Sequence, residues 1–202
     1  MGKICKKIEE AGADALELNI YYIPTDLSLN SKKIEKNYYN LLKKVKQKIK
    51  IPLAVKLSPY FTSTPNVLKS LEKAGADAFV IFNRFYQPDI DIDNLTIKSN
   101  LVLSDSEELR LRLRWTAIVY GRISPDIAIT GGIHTGYDVI KAMMSGAKVS
   151  MMTSALLKNG IDHIGKVLSE TSEWLSKNEY SSIKSIQGLM SQRNVLDLSA
   201  YE

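Results

Sequence analysis

Cysteine is nearly absent from this sequence: Cys5 is the single one among 202 residues, so no internal disulfide can form. Flanked by Lys3, Ile4, Lys6 and Lys7 on a predicted helix, it reads as an ordinary thiol and is given no role. Histidine is scarce as well. Of the two, His134 follows a Gly-Gly-Ile turn and His163 opens a helical segment; neither is expected to be catalytic, and no metal site is read. No apolar run approaches the roughly 18 to 20 residues of a membrane span. The N-terminal MGKICKKIEEAGA lacks the apolar core of a signal peptide, so the expectation is a cytosolic location with no membrane partner. What is present, 45% hydrophobic and 24% charged residues, is the composition of one soluble globular domain with a sizeable core.

The net charge of +5 raises the question of nucleic acid. Many of the lysines fall in KKIEKNYYNLLKKVKQKIK, residues 32–50, where Ile34, Tyr38, Leu41, Leu42, Val45 and Ile49 recur at helical spacing. That is an amphipathic helix with a solvated basic face. It carries no aromatic platforms and no binding motif, so no nucleic-acid partner is expected. The run ELRLRLRW, with Arg110, Arg112 and Arg114 alternating with leucines, reads at period two as an extended segment, either a basic surface strip or a gate over an anionic substrate.

A repeated join organises the chain: EEAGADALELN at 9–19, EKAGADAFVIFN at 72–83 and MMSGAKVSMMTS at 143–154. Each reads as a helix end, a glycine stop and a strand. With IPLAVKLS and DIAITGG, five strands are predicted at about 15–20, 53–58, 78–83, 127–131 and 148–153. Two helical patterns, 163–177 and 181–189, follow the last. Alternating helix and strand gives a parallel sheet. Glu17 and Asn19 share one strand face and Ala54, Lys56 and Ser58 another, opposite Leu16, Leu18, Val55 and Leu57. Polar side chains on one face near carboxyl ends favour the mouth of a (β/α) barrel over a doubly wound sheet. The fold class predicted is therefore α/β, a TIM-type barrel in one domain over 1–202. Five strands correspond to strands 4 to 8 of the eight that close a barrel, which leaves this one incomplete, with its N-terminal strands missing.

Asn19, Lys56, Asn83, the Gly131-Gly132 turn and the Thr153-Ser154 pair then converge on one rim. Backbone N–H groups at glycines and at a helix start suit a phosphate; the competing reading of Gly131-Gly132 is a tight turn needing positive φ. Lys56, in mid-strand, needs a ligand or a carboxylate such as Glu17. Asn19 and Asn83 can also cap strand ends locally.

LELN, AVKLSPY, FNRFYQPDID and IAITGGIHTGYDVIKAMMSGAKVSMMTSALLKNG, in this order and spacing, resemble the dihydroorotate dehydrogenase family, flavin mononucleotide (FMN) enzymes of pyrimidine synthesis, over nearly the whole chain. With LNIYYIPTD, LRLRLRW and GLMSQR they resemble a bacterial dihydroorotate dehydrogenase-like branch in particular. The resemblance implies an oxidoreductase that takes a dihydropyrimidine-like small molecule and passes hydride to FMN. Lys56 resembles the lysine at the flavin pyrimidine edge, and Asn19 and Asn83 the amides on flavin or substrate. Thr130, Gly131, Gly132, Thr153 and Ser154 resemble the phosphate loops. Where the family reads Asn-x-x-Cys (or Ser)-Pro-Asn, NIYYIP sets Tyr22 at the proton acceptor, a phenol whose ordinary pKa of about 10 suits it poorly to that task. Two other readings stand beside this one: a phosphate-binding barrel for another phosphorylated metabolite, and an inactive fragment whose open sheet edge recruits a partner or a second copy.

Overall fold

The glycine at each join has the conformation the join demands. Gly12, Gly75 and Gly146 stand at φ 95°, 105° and 117°, the left-handed region in which a helix can stop and the chain turn back into a strand. In the computed structural model, which describes residues 2–202, α1 (Gly2–Glu10) leads to β1 (Leu16–Asn19), α2 (Ser31–Lys46) to β2 (Leu53–Leu57) and α3 (Thr64–Lys73) to β3 (Ala78–Ile81). An antiparallel hairpin, β4 (Asp89–Asp91) and β5 (Thr96–Lys98), interrupts the alternation. It resumes with α4 (Leu109–Val119), β6 (Asp126–Thr130), α5 (Gly136–Ser145) and β7 (Val149–Met151), followed by α6 (Ser154–Asn159) and α7 (His163–Lys177). The five predicted strands are all present, each end within two residues of the range read from the sequence.

β1, β2, β3, β6 and β7 form one parallel sheet in the order of the chain. A doubly wound sheet reverses its order at a switch point and covers both faces with helices. Here neither happens. Leu18, Leu53, Val55, Leu57, Phe79, Ile81, Ile127 and Ile129, all of one strand parity, join Leu42, Val45, Leu68, Leu71, Val119, Ile140 and Met143 of the helices in a single core. The other parity carries Glu17, Asn19, Ala54, Lys56, Ala128 and Thr130, none of them buried, together with the buried Val80. Helices on one side and a polar inner face on the other make this an incomplete TIM-type barrel.

Helix α2 buries Tyr38, Leu42 and Val45 and turns its lysines outward, as its periodicity predicts; Asn30 caps it, its Oδ1 accepting from Lys33 N at 2.9 Å. Among the described residues no helix is long and apolar enough to cross a membrane.

Three expectations need correction. The ELRLRLRW run is helical, because the apolar pattern continues through TAIV; Leu109, Arg112, Thr116 and Ala117 form the buried stripe at helical spacing. Arg110 and Arg114, one turn apart, face solvent, while Arg112 is 5% exposed and points inward. The run is thus neither extended nor a gate. Residues 181–189 form only a single tight turn of 3-10 helix, Ile183–Ile186, rather than a second tail helix, since Gly188 leaves the helical region at φ 76°. The hairpin was not expected. Its cross-strand pair Ile90 and Ile97 is solvent-exposed, together with Ile92 and Leu95.

Candidate functional site

Parallel register sets Asn19 beside Lys56 and Thr130 beside Met151 at the carboxyl ends of the strands. A cavity of about 310 Å³ opens there, and Asn19, Lys56, Asn83, Thr130, Gly131, Gly132, Thr153 and Ser154 all line it. Residues scattered over more than 130 positions of sequence are brought to one rim because every inner-face side chain and every post-strand loop faces the same end of the barrel.

Asn83 is buried, and its Nδ2 donates to Asn19 Oδ1 at 2.9 Å and to the Ile20 carbonyl at 3.2 Å. Its backbone N–H donates to Leu57 O at 2.7 Å, extending the β2–β3 ladder one step beyond the strand. Local capping is therefore real for Asn83. The same bonds hold the two amides as one rigid pair at the cavity wall. Lys56 has no ion pair and no side-chain hydrogen bond among the described residues; Glu17 does not pair with it. A half-buried ammonium facing a cavity without a carboxylate is an open anion-binding position.

Gly131 and Gly132 stand at φ 85° and 83°, so the turn itself requires glycine. At Gly132 space forbids a side chain as well: a Cβ would lie 2.4 Å from Leu109 N and 2.7 Å from Leu109 Cα. At Gly131 it would meet the Arg112 guanidinium at 3.0 Å. Arg112 braces the turn from behind, with Nε donating to Thr130 O at 3.1 Å and Nη1 to Glu108 O at 2.6 Å. Burial lowers its pKa, opposed by the Glu108 carboxylate, but a guanidinium stays charged at neutral pH. The backbone N–H groups of Gly131, Gly132, Thr153 and Ser154, four residues that line the cavity, donate to no acceptor in turns, loops or caps among the described residues, and Thr153 Oγ1 makes no cap bond. Unpartnered donors on residues that line a polar cavity, with a cation behind the turn and another across it, suit a phosphate group.

Sequence reasoning missed several lining residues. Tyr21, Phe82, Arg84, Ser104, Ile133 and Met152 also face the cavity. Arg84 Nε donates to both Glu108 carboxylate oxygens, at 3.1 and 3.0 Å, and its Nη1 donates to Val102 O. Ser104 Oγ lies 3.2 Å from His134 Nε2. The apolar flank of these positions hid them; only the S-D-S-E capping pattern before α4 marks Ser104 as lying at an element boundary. Tyr22 is placed elsewhere. It lines a separate cavity of about 110 Å³ with Tyr38, Ser58, Tyr60 and Phe61, while its neighbour Tyr21 faces Lys56's cavity with its ring 4.3 Å from that of Phe85.

The profile of the dihydroorotate dehydrogenase family matches residues 2–175. The chain is similar to proteins named dihydroorotate dehydrogenase B (NAD(+)), catalytic subunit, from several organisms. The Thermoplasma volcanium protein is 27% identical over 199 residues, 95% of this chain and 64% of that protein. That from Methanocaldococcus jannaschii is 30% identical over 75% of this chain and 50% of its own length, and that from Brachyspira hyodysenteriae 31% identical over 69% and 46%. The chain thus spans less than two thirds of the length of these relatives.

Proposed function

The chain belongs to the dihydroorotate dehydrogenase family, and from that premise we propose that its rim cavity holds FMN and serves the oxidation of dihydroorotate or a related dihydropyrimidine in pyrimidine biosynthesis. The observation that carries the reading is the meeting, in one cavity, of an ammonium without a carboxylate and a set of backbone donors without acceptors.

In this reading the phosphate is held by the N–H groups of Gly131, Gly132, Thr153 and Ser154 and by Thr153 Oγ1. Arg112 fixes the turn and adds positive potential behind it. Lys56 lies at the electron-accepting end, where its charge favours the reduced, anionic ring. The joined amides of Asn83 and Asn19 offer Asn19 Nδ2 and an Asn83 carbonyl to the ring or the substrate. Bound FMN supplies the hydride acceptor. Tyr22 stands at the proton acceptor's place in the sequence; from its own cavity it serves only if the segment after β1 carries its phenol toward Lys56.

Absorbance of the purified protein, with titration of FMN and of riboflavin, tests this. FMN should be taken up and should bind more tightly than riboflavin, which lacks the phosphate. Uptake of neither flavin refutes the reading. If inorganic phosphate still binds in that case, the result favours a barrel for another phosphorylated metabolite.

A further inference from the structure

Beside the phosphate loops stands a hydroxyl with a titratable partner. Ser104 is 2% exposed, lies between the hairpin and α4, and lines the same cavity as Gly131, Gly132, Thr153 and Ser154. Its backbone is tied to α6 at both ends: its N–H donates to Ser154 Oγ at 3.1 Å, and its carbonyl accepts from Lys158 Nζ at 2.7 Å. The side chain has one neighbour able to change its hydrogen bonding, His134 Nε2 at 3.2 Å.

We propose that Ser104, backed by His134, forms a further wall of the phosphate site, a hydroxyl donor that becomes available to a phosphate monoester when His134 Nε2 carries a proton. A hydroxyl has a single proton. With Nε2 bare, that proton goes to the imidazole and only lone pairs remain for the cavity, which repel an anion. With Nε2 protonated, the ring donates to Ser104 Oγ and the hydroxyl proton is free for a phosphate oxygen. Anion binding and imidazole protonation therefore favour each other, and the coupling is reciprocal.

The surroundings of His134 leave this switch poised. Burial and the Lys158 ammonium of α6 hold its pKa below 6.5, Asp138 at the start of α5 and Asp105 before α4 pull the other way, and His163 of α7 adds slightly to the lowering. The Asp138 charge is already shared: its Oδ2 accepts from the N–H groups of His134 and Thr135 at 3.1 and 3.0 Å, from Thr135 Oγ1 at 3.0 Å and from Ser106 Oγ at 2.7 Å. Without a ligand the ring is neutral at pH 7. A phosphate dianion then supplies the negative charge that the uncompensated Lys158 and a protonated His134 both lack. Lys158 makes no ion pair among the described residues.

This rests on the phosphate half of the function proposed above, and two probes separate the two. The first is the His134 ring resonance followed by NMR between about pH 5 and 8, with inorganic phosphate and with FMN, the two histidines assigned by His163→Gln. Either ligand should raise the His134 pKa by about one unit, which corresponds to about tenfold tighter binding on the acid side. The second is affinity. Ser104→Ala should weaken FMN about tenfold, the loss of one hydrogen bond to a charged group, and leave riboflavin unchanged. His134→Gln, which keeps an amide donor but cannot titrate, should retain FMN binding and lose the extra tightening toward acid that the unaltered protein shows. A His134 pKa moved by inorganic phosphate with no flavin bound keeps this inference and removes the flavin reading. Flavin bound with the His134 pKa unmoved removes this inference and keeps the flavin. Neither ligand bound removes both.

Discussion

Two glycines with the same φ help to separate strain from space. Gly132 and Gly160 both stand at φ 83°, but an added Cβ at Gly160 meets nothing within 4 Å, whereas at Gly132 it would lie 2.4 Å from Leu109 N. Gly160→Ala should cost backbone strain alone: at φ 83° and ψ 168° the residue lies in a region nearly reserved for glycine, worth about 1–3 kcal/mol, or roughly 2–12 °C in Tm for a chain of this size. Gly132→Ala carries the strain of a positive φ, about 1 kcal/mol or more, and adds a clash with the first residue of α4. For that contact to become ordinary it must open from 2.4 to 3.4 Å, and Leu109, 1% exposed, has no free space to move into. Overpacking of this kind costs about 1–3 kcal/mol more, for a total Tm loss of roughly 5–15 °C. Arg112 rides on the same helix, so the displacement should also loosen its bond to Thr130 O and weaken FMN uptake. Thermal unfolding followed by circular dichroism decides between strain alone and strain with a clash. Equal Tm values for the two variants would refute the claim that α4 is packed against the turn.

Lys56→Ala should lower the two-electron reduction potential of bound FMN by roughly 30–60 mV, the equivalent of one charge-assisted hydrogen bond; a dye-equilibration titration showing an unchanged potential removes Lys56 from the flavin edge. Tyr22→Phe should leave FMN affinity intact and, where the segment after β1 carries the phenol to Lys56, slow flavin reduction by substrate in a single-turnover absorbance trace; an unslowed trace excludes the phenol as base. Glu9 of α1 accepts from Lys6 Nζ at 2.8 Å and from the N–H groups of Lys50 and Ile51 at 2.6 and 3.1 Å, and these bonds, Lys6 foremost, lower its pKa from 4.5 to about 2. A carboxyl depressed in the folded state contributes stability that is complete above pH 4.5 and is lost as pH falls toward 2. Denaturant midpoints across that range should fall less steeply for Glu9→Gln than for the unaltered protein, and parallel curves would show that the carboxylate does not tie α1 to the loop before β2.

The barrel rim was legible in the sequence because two strong local rules agree there. Gly-Ala stops fix where strands begin, and strand parity fixes which side chains turn inward, so Asn19 and Lys56 could be placed on one face before any coordinates. The loops obey neither rule. Whether Tyr21 or Tyr22 faces Lys56 depends on the path of the chain after β1, which no periodicity encodes. The hairpin has a signal of its own, the alternating IDIDNLTI with Asn94 at its turn, which the pattern of helix and strand joins does not include. Arg112 illustrates a competition of periods: three Arg-Leu repeats satisfy period two, and the apolar TAIV that follows decides for period 3.6. Buried charge is tolerated there because two backbone carbonyls accept from the guanidinium. Ser104 could not have been found from spacing, since only the folded chain brings it to Ser154 and His134.

A crystal structure of the protein soaked with FMN measures the central claim directly. The account predicts phosphate density within hydrogen-bond distance of the Gly131, Gly132, Thr153 and Ser154 amides, with the pyrimidine edge of the ring against Lys56 Nζ. Phosphate bound at any other place, or a ring lying away from Lys56, would contradict it.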